Sequence, residues 1–469
     1  MRDVRIHVMR IAIRLVAVLL VIAAGVFLVV RMRPARVKEA PSFLVIAIDS
    51  VRADHVGAYG YLRGTTPRID GFAREGILFS TAFSQAPWTK PSVASLFTST
   101  YVSVHNVLFS KRVVNGEDRT DILSAKFLTL AEAMKAGGYA TGGFGQNIHL
   151  RPEFGFDQGF DRYDMHARRA DKINRRTLGW LREEDPDKFF AYLHYNEPHY
   201  PYRPRPEYAK FGSTTARVQI DGATKEAFRS GALRLSTQDI GQLIDLYDGE
   251  ILCADTMVGE LIDAISKLGY RNLTVVITAD HGEEFLDHGD ITHGQSLYSE
   301  LVRVPFIITG TGLPAAVRGT RSDFRVELID IMPTVLEMAG IPLPPGIQGR
   351  SLLGAVHAGP GSKTTGDTSI FSQRRDPADA AFSSTVFDGR WKLINDTARS
   401  RLMLFDLSAD PGEKSPVATG PKDVIDRLSS RLAGWDTSNL SLYETIRPDD
   451  TRPLDAETER RLRSLGYIQ

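Results

Sequence analysis

Three short apolar runs, each leading into residues that can bind a metal or move a proton, limit what this chain can fold into. Ser42-Phe-Leu-Val-Ile-Ala-Ile48 runs straight into Asp49, and Leu273-Thr-Val-Val-Ile-Thr278 passes through Ala279 into Asp280-His281. Continuous β-branched runs of this length, without polar alternation, read as parallel strands buried on both faces. A third run, Phe189-Phe-Ala-Tyr-Leu193, is followed by His194, Glu197 and His199. In open α/β sheets, ligands bind just beyond the carboxyl ends of the strands. A lone Asp after a strand is ordinarily a cap or turn residue. Three strand ends that bring carboxylates and imidazoles to one edge point instead to a metal-type site.

The alternation of strands with helical patterns continues to roughly residue 355. Leu130 to Ala136 reads as a helix stopped by Gly137-Gly138, Tyr139 to Phe144 as the next strand, Val304 to Thr309 as another, and Ile329 to Gly340 as a helix with a glycine stop. This pattern predicts an α/β fold, a large mixed and mostly parallel sheet sandwiched between helices. A Gly/Ser/Thr/Pro-rich linker from Gly359 to Thr368 follows. Beyond it, Ser384 to Ile394 and Arg401 to Leu407 read as paired strands, with Val424 to Leu432 a helix on them. The expected organisation is a short tail at 1–10, a transmembrane anchor at 11–30, a linker at 31–41, an α/β domain at 42–358 and a C-terminal α+β subdomain at 359–469.

The anchor rests on an uncharged apolar run from Leu15 to Val30, preceded by Arg2, Arg5, Arg10 and Arg14 and followed by Arg31, Arg33, Arg36 and Lys38. No small-x-small site followed by polar residues suggests cleavage, so the run reads as an uncleaved single-pass anchor. The short N-terminus and the large domain after it place that domain outside the cytoplasm. Lys plus Arg number 57, as do Asp plus Glu, so no broad basic surface points to nucleic acid. Cys253 is the only cysteine, which excludes an intrachain disulfide, and it sits in a helical pattern as a small buried residue.

One hydroxyl stands out in Ala86-Pro-Trp-Thr-Lys-Pro-Ser-Val-Ala-Ser-Leu-Phe-Thr98. Pro91 suits a first helical turn, so Thr89 lies at a helix start, where orphan N–H groups and the dipole attract anions. By itself this is the ordinary signature of a capped helix. Beside Asp49 and Asp280-His281 it becomes a candidate nucleophile.

The motifs resemble, in order, the sulfatase family of the alkaline phosphatase superfamily. They comprise Ile48-Asp-Ser-Val-Arg-Ala-Asp54 with Gly57-Ala-Tyr-Gly60, Thr66-Pro-Arg-Ile-Asp70, the Thr89–Thr98 segment, Pro198-His-Tyr-Pro-Tyr202 and Asp280-His-Gly-Glu283. Leu297-Tyr-Ser-Glu with Arg303-Val-Pro305, Asp388-Gly-Arg-Trp-Lys-Leu393 and Asp410-Pro-Gly-Glu413 complete the set. The resemblance implies the same large mixed sheet and a smaller C-terminal antiparallel subdomain. Family members usually carry Cys or Ser, later converted to formylglycine, at the first nucleophile position and Arg four residues on; this chain has Thr89 and Val93. The family's second aspartate after the first strand is Ser50 here, and the Lys of its Gly-Lys-Trp-His segment is replaced within Gly145-Gln-Asn-Ile-His149. Formylglycine chemistry is thus unavailable, and two cationic sulfate contacts are missing. Asp49, Thr89, Asp280 and His281 instead resemble the metal site of the superfamily's threonine-nucleophile branch, which includes lipoteichoic acid synthases, phosphoethanolamine transferases and nucleotide pyrophosphatases.

A threonine hydroxyl ionises far above neutrality, and coordination to a divalent ion would activate it without a neighbouring base. Two carboxylates and an imidazole suit one Zn²⁺ or Mn²⁺ better than Ca²⁺, which prefers an all-oxygen shell. His199 is expected to contact the transferring group or protonate the leaving oxygen, His293 to do likewise or bind a second ion, and Lys90 to meet the anion. His149, His194 and His288 read as loop or supporting histidines, and Arg52 and Asp54 as braces of the first loop. The expected activity is hydrolysis of a sulfate or phosphate ester on a small-molecule, lipid or glycan substrate. Transfer to another alcohol and a silent binding domain are the alternatives.

Overall fold

The computed structural model describes residues 36–167, 169–358, 369–376, 381–417, 420–448 and 450–464, together with His7 and Arg14. At its centre is an eight-stranded sheet in the spatial order Thr320–Glu327, Ile77–Phe83, Phe306–Thr309, Leu273–Ala279, Ser42–Ile48, Phe189–Tyr195, Ala140–Gly145, Arg162–Asp164. Phe306–Thr309 alone runs antiparallel to its neighbours. The three central strands are buried at every residue, as continuous apolar runs require in a sheet flanked by helices.

Register decides where the chemistry falls. Ile48 pairs with Ala279 on one side and with Tyr195 on the other, so Asp49, Asp280 and Asn196 all emerge on the next rung of the same edge. The Thr89–Thr98 helix begins beside that edge and is buried throughout. The 30-residue Thr237–Ser266 helix carries the helical pattern around Cys253 and holds that cysteine in the core.

A four-stranded antiparallel sheet, Ile370–Arg375, Phe382–Asp388, Trp391–Asp396 and Arg401–Asp406, forms the C-terminal subdomain. The stretch read as one strand from Ser384 to Ile394 is two, because Gly389 adopts φ 65° and turns the chain between Asp388 and Trp391. One face packs Val386, Leu393 and Leu404 under Val424, Leu428 and Leu432 of the Lys422–Ile446 helix. The other packs Ile370, Phe387, Ile394 and Phe405 against Phe83, Leu297, Leu301 and Val302 of the main domain.

The expected membrane placement is corrected. Among the described residues no helix is long and apolar enough to cross a membrane, and the Leu15–Val30 run itself lies outside them. The Gly359–Thr368 linker lies outside them too.

Candidate active site

Asp49 leaves its strand and Ser50 turns at φ 61°, a left-handed conformation that a non-glycine residue adopts at a cost. The Tyr247 hydroxyl holds that turn by donating to Ser50 O at 2.6 Å and accepting from Arg52 N at 3.0 Å. Asp49 is fully buried. Its Oδ2 accepts from Asn147 Nδ2 at 3.0 Å and faces His194 Nε2 at 3.1 Å, while Oδ1 accepts from Ser50 Oγ at 2.7 Å. Burial opposes its charge, but nearby His199, the His194 hydrogen bond and His281 outweigh it and hold Asp49 well below the usual carboxylate range.

Asp280 is also fully buried, and its Oδ1 accepts from Ser50 N at 3.2 Å and from its neighbour His281 N at 2.9 Å. Burial first, and then the charge of Asp49, push its carboxyl up to about 8. Thr89 stands over this pair with Oγ1 3.3 Å from His281 Nε2. Its helix is pinned there by Ser92, whose hydroxyl donates to Asp280 O at 2.6 Å. Val93, in the position of the family's Arg, is sealed in the core.

Asp49, Asp280 and His281 present ligand atoms that all lie within 4.8 Å of one another. Their surroundings fit a cation. Asp280 Oδ2 is buried with no hydrogen-bond partner, although it lies 3.5 Å from His281 Nε2. His281 Nδ1 lies 2.8 Å from Gly282 O, a contact only an N–H can make, which leaves Nε2 as a lone pair aimed at the carboxylates. Burial lowers the His281 pKa, with Asp49 opposing, so this neutral form prevails. Two carboxylates crowded together in a dry site repel unless a cation lies between them.

A second group of rings stands beside the first. The His293 ring lies 4.4 Å from His281 and 4.9 Å from His199, and its Nδ1 is 2.9 Å from Glu283 Oε1. Tyr202 donates to the other Glu283 oxygen at 2.8 Å. Thr292, a β-branched residue at φ 71°, aims the following His293 into the cluster. His199 Nδ1 donates to Tyr200 O at 2.6 Å. Burial lowers the pKa of both histidines. Thus Thr89, Asp49, Asp280, His281, His199 and His293 converge.

Lys90, expected to meet the anion, sends its buried ammonium to Phe109 O at 3.1 Å and Thr120 Oγ1 at 2.9 Å, over the Phe154 ring. Burial pulls it down to about 7. His194, read as a supporting residue, contacts Asp49 directly, and His149 packs against the edge of Trp88. His288 bridges Glu300 and Glu413 O far from Thr89 in its bonding. Arg52 braces the first loop through Asp54 and Asp287. Asn147 and Glu283 are the residues sequence reasoning passed over, and His194 is closer to the site than the supporting role it was given. Only Glu283 carried a signal, as part of Asp280-His-Gly-Glu283.

Comparison with known proteins agrees with this geometry. The family model described as Sulfatase matches residues 41–341, and that of the N-sulphoglucosamine sulphohydrolase C-terminal region matches 287–437. Arylsulfatase K of Mus musculus is 26% identical over 458 residues, covering 85% of this chain and 79% of the mouse protein. Delta 4,5-hexuronate-2-O-sulfatase of Bacteroides thetaiotaomicron is 24% identical, covering 92% of this chain and 94% of that protein. Among solved structures, the phosphonate monoester hydrolase of Agrobacterium radiobacter shares the fold at TM-score 0.68 and 21% identity, over 87% of this chain and 96% of its own. A 2-O GAG sulfatase shares it at 0.70 and 21%, over 90% and 96%.

Proposed function

The chain belongs to the sulfatase family, whose members hydrolyse sulfuric or phosphoric esters, and on that premise we propose that it does so with Thr89 as a metal-activated nucleophile instead of formylglycine. The observation that carries this reading is the convergence of Asp49, Asp280 and His281 within 4.8 Å of one another, with the Thr89 hydroxyl beside His281. These four residues would hold one divalent ion, Zn²⁺ or Mn²⁺, since their donors mix hard oxygen with imidazole. Bound there, the ion would acidify the Thr89 hydroxyl and draw charge from the group under attack.

The chain's own residues do the rest. Thr89 Oγ1 gives up its proton and forms a bond to phosphorus or sulfur as the bond to the ester oxygen breaks, and that oxygen leaves with the electron pair and takes up the proton Thr89 released. His199 and His293 stand where that proton must pass, and the Glu283 carboxylate orients the His293 ring. Water then attacks the Thr89 ester, freeing the hydroxyl and inorganic phosphate or sulfate, or the free phosphonate where the substrate is a phosphonate ester. His293 Nε2, neutral because burial lowers its pKa, can take the proton that water gives up. The substrates are sulfate, phosphate or phosphonate monoesters of small molecules or glycans.

Kinetics on aryl sulfates, phosphates and phosphonates, with intact-protein mass spectrometry during turnover, tests this. One phosphoryl or sulfuryl adduct is expected on Thr89, and Thr89→Ala should lose turnover by at least about 1000-fold with its melting temperature unchanged. Near-normal activity in that variant would refute the mechanism.

A further inference from the structure

An oxyanion needs positive charge and hydrogen-bond donors on the side away from the nucleophile. The two family positions that would supply cations hold Val93, buried in the core, and Asn147, which is committed to Asp49. Lys90 spends its ammonium on Phe109 O and Thr120.

Two donors near the ring cluster have no such commitment. Tyr200 is 3% exposed, and its hydroxyl is buried without a hydrogen-bond partner. A buried hydroxyl left unpaired costs roughly 1–3 kcal/mol, so its retention calls for a partner that arrives later. The Tyr200 ring lies 4.4 Å from His199 and 5.5 Å from His293, at the heart of the site. Over its face, at 5.7 Å from the centroid, sits Lys225 Nζ, carried on the Gly222–Arg229 helix. The Lys225 ammonium makes no hydrogen bond or salt bridge among the described residues, although its backbone N donates to Asp221 O at 2.9 Å. Its neighbour on that helix, Arg229, is by contrast neutralised by Asp290 at 3.3 Å. The charge of Lys225 reaches His199, His293 and Glu283, which places it beside the same cluster.

We propose that the Tyr200 hydroxyl and the Lys225 ammonium together grip the non-reacting oxygens of the sulfate or phosphate group that Thr89 attacks. This rests on the ester-hydrolase reading above. The pair replaces, from a different part of the chain, the cationic contacts that the nucleophile helix and the Gly145–His149 segment lack. A purely structural Lys225 would only balance Glu283, and a purely structural Tyr200 would only fill space.

Calorimetric binding of inorganic phosphate and of sulfate to the full chain loaded with Zn²⁺ or Mn²⁺ separates these roles. Tyr200→Phe and Lys225→Gln should each weaken anion affinity about 10- to 100-fold, with Lys225→Arg recovering most of it. Neither should lower the melting temperature, since neither removes a hydrogen bond of the free protein. In turnover, KM should rise more than kcat falls. Unchanged anion affinity in both variants, or wild-type protein that binds neither anion, overturns the proposal. The Thr89 mechanism is judged apart: if Thr89→Ala stays active that reading fails, while the Tyr200 and Lys225 affinities still decide this one.

Discussion

Asp280 is the residue on which the chemistry of the site turns. Its Oδ2 has no hydrogen-bond donor, and burial together with Asp49 raises its carboxyl to about 8, so the empty protein pays for the pair by holding a proton there. A divalent ion bound there would remove that repulsion and displace the proton, so metal uptake would release a proton below about pH 8. Asp280→Asn keeps the shape but offers a neutral oxygen. It should weaken metal binding by more than about 100-fold, read by elemental analysis of purified protein, with turnover falling in step. Retention of about one Zn or Mn per chain with full activity would exclude this donor set. Asp49 and Asp280-His281 were legible in the sequence because each directly follows an uninterrupted apolar run. His194 was legible only as a loop or supporting histidine beyond its strand; it lies inside the strand, and pairing with Ala47 turns it toward Asp49. Lys90 sits one residue from Thr89, but a helix turns about 100° per residue, which carries its side chain away from Thr89 toward Phe109.

Among the elements, the loop from Glu283 to Glu300 holds His293 and is itself held from the C-terminal sheet. His288 stacks on Tyr298 with ring centroids 3.5 Å apart, and its two nitrogens meet Glu300 at 2.5 Å and Glu413 O at 2.9 Å. Both acceptors want an N–H, so the ring is doubly protonated. Burial alone would lower its pKa, but Glu300 and the Glu413 carbonyl raise it above the ordinary value of 6.5. A raised folded-state pKa gives stability that is complete below about pH 6.5, the unfolded value, and fades as pH rises through the folded one. Thermal melts should therefore lose stability above neutral pH, and His288→Gln should flatten that slope while lowering stability on the acidic side. An unaltered slope in the variant would show that other groups set it. The motifs around Asp388–Leu393 and Asp410–Glu413 were visible as sequence, yet their purpose was not. It lies in tertiary contacts, as in the fully buried Lys392–Glu413 pair at 2.7 Å.

At the scale of the molecule, the two sheets share one apolar seam and one catalytic loop. Phe83 stacks on Phe387 at 5.4 Å, and Leu297, Leu301 and Val302 bury themselves against Ile370, Ile394 and Phe405. Arg374, from the first strand of the small sheet, donates to Gly294 O at 3.1 Å, the residue after His293. Ser299 N donates to Glu413 Oε2 at 2.6 Å. The subdomain is therefore part of what positions His293, and it also braces the Thr89 side, where Ser372 Oγ donates to Ser84 O at 2.6 Å and Gln373 N to Gln85 O at 2.8 Å. A chain ending at residue 358 would expose the Phe83–Leu297–Leu301–Val302 face and leave His288 Nε2 and Ser299 N without Glu413. Fully burying each such side chain is worth roughly 1.5–3 kcal/mol, so exposing these four costs about 6–12 kcal/mol, comparable with the roughly 5–15 kcal/mol by which a domain is ordinarily stable. The shortened chain is expected to aggregate or to melt far below the intact protein in a calorimetric scan. A milder variant, Arg374→Ala, keeps the seam and removes the grip on Gly294 O together with the Asp376 pair at 3.2 Å. It should lower kcat through His293 while metal content stays at that of the intact protein, because Asp49, Asp280 and His281 are fixed by the central sheet. Loss of metal in Arg374→Ala would mean that the two halves of the site are not separately held.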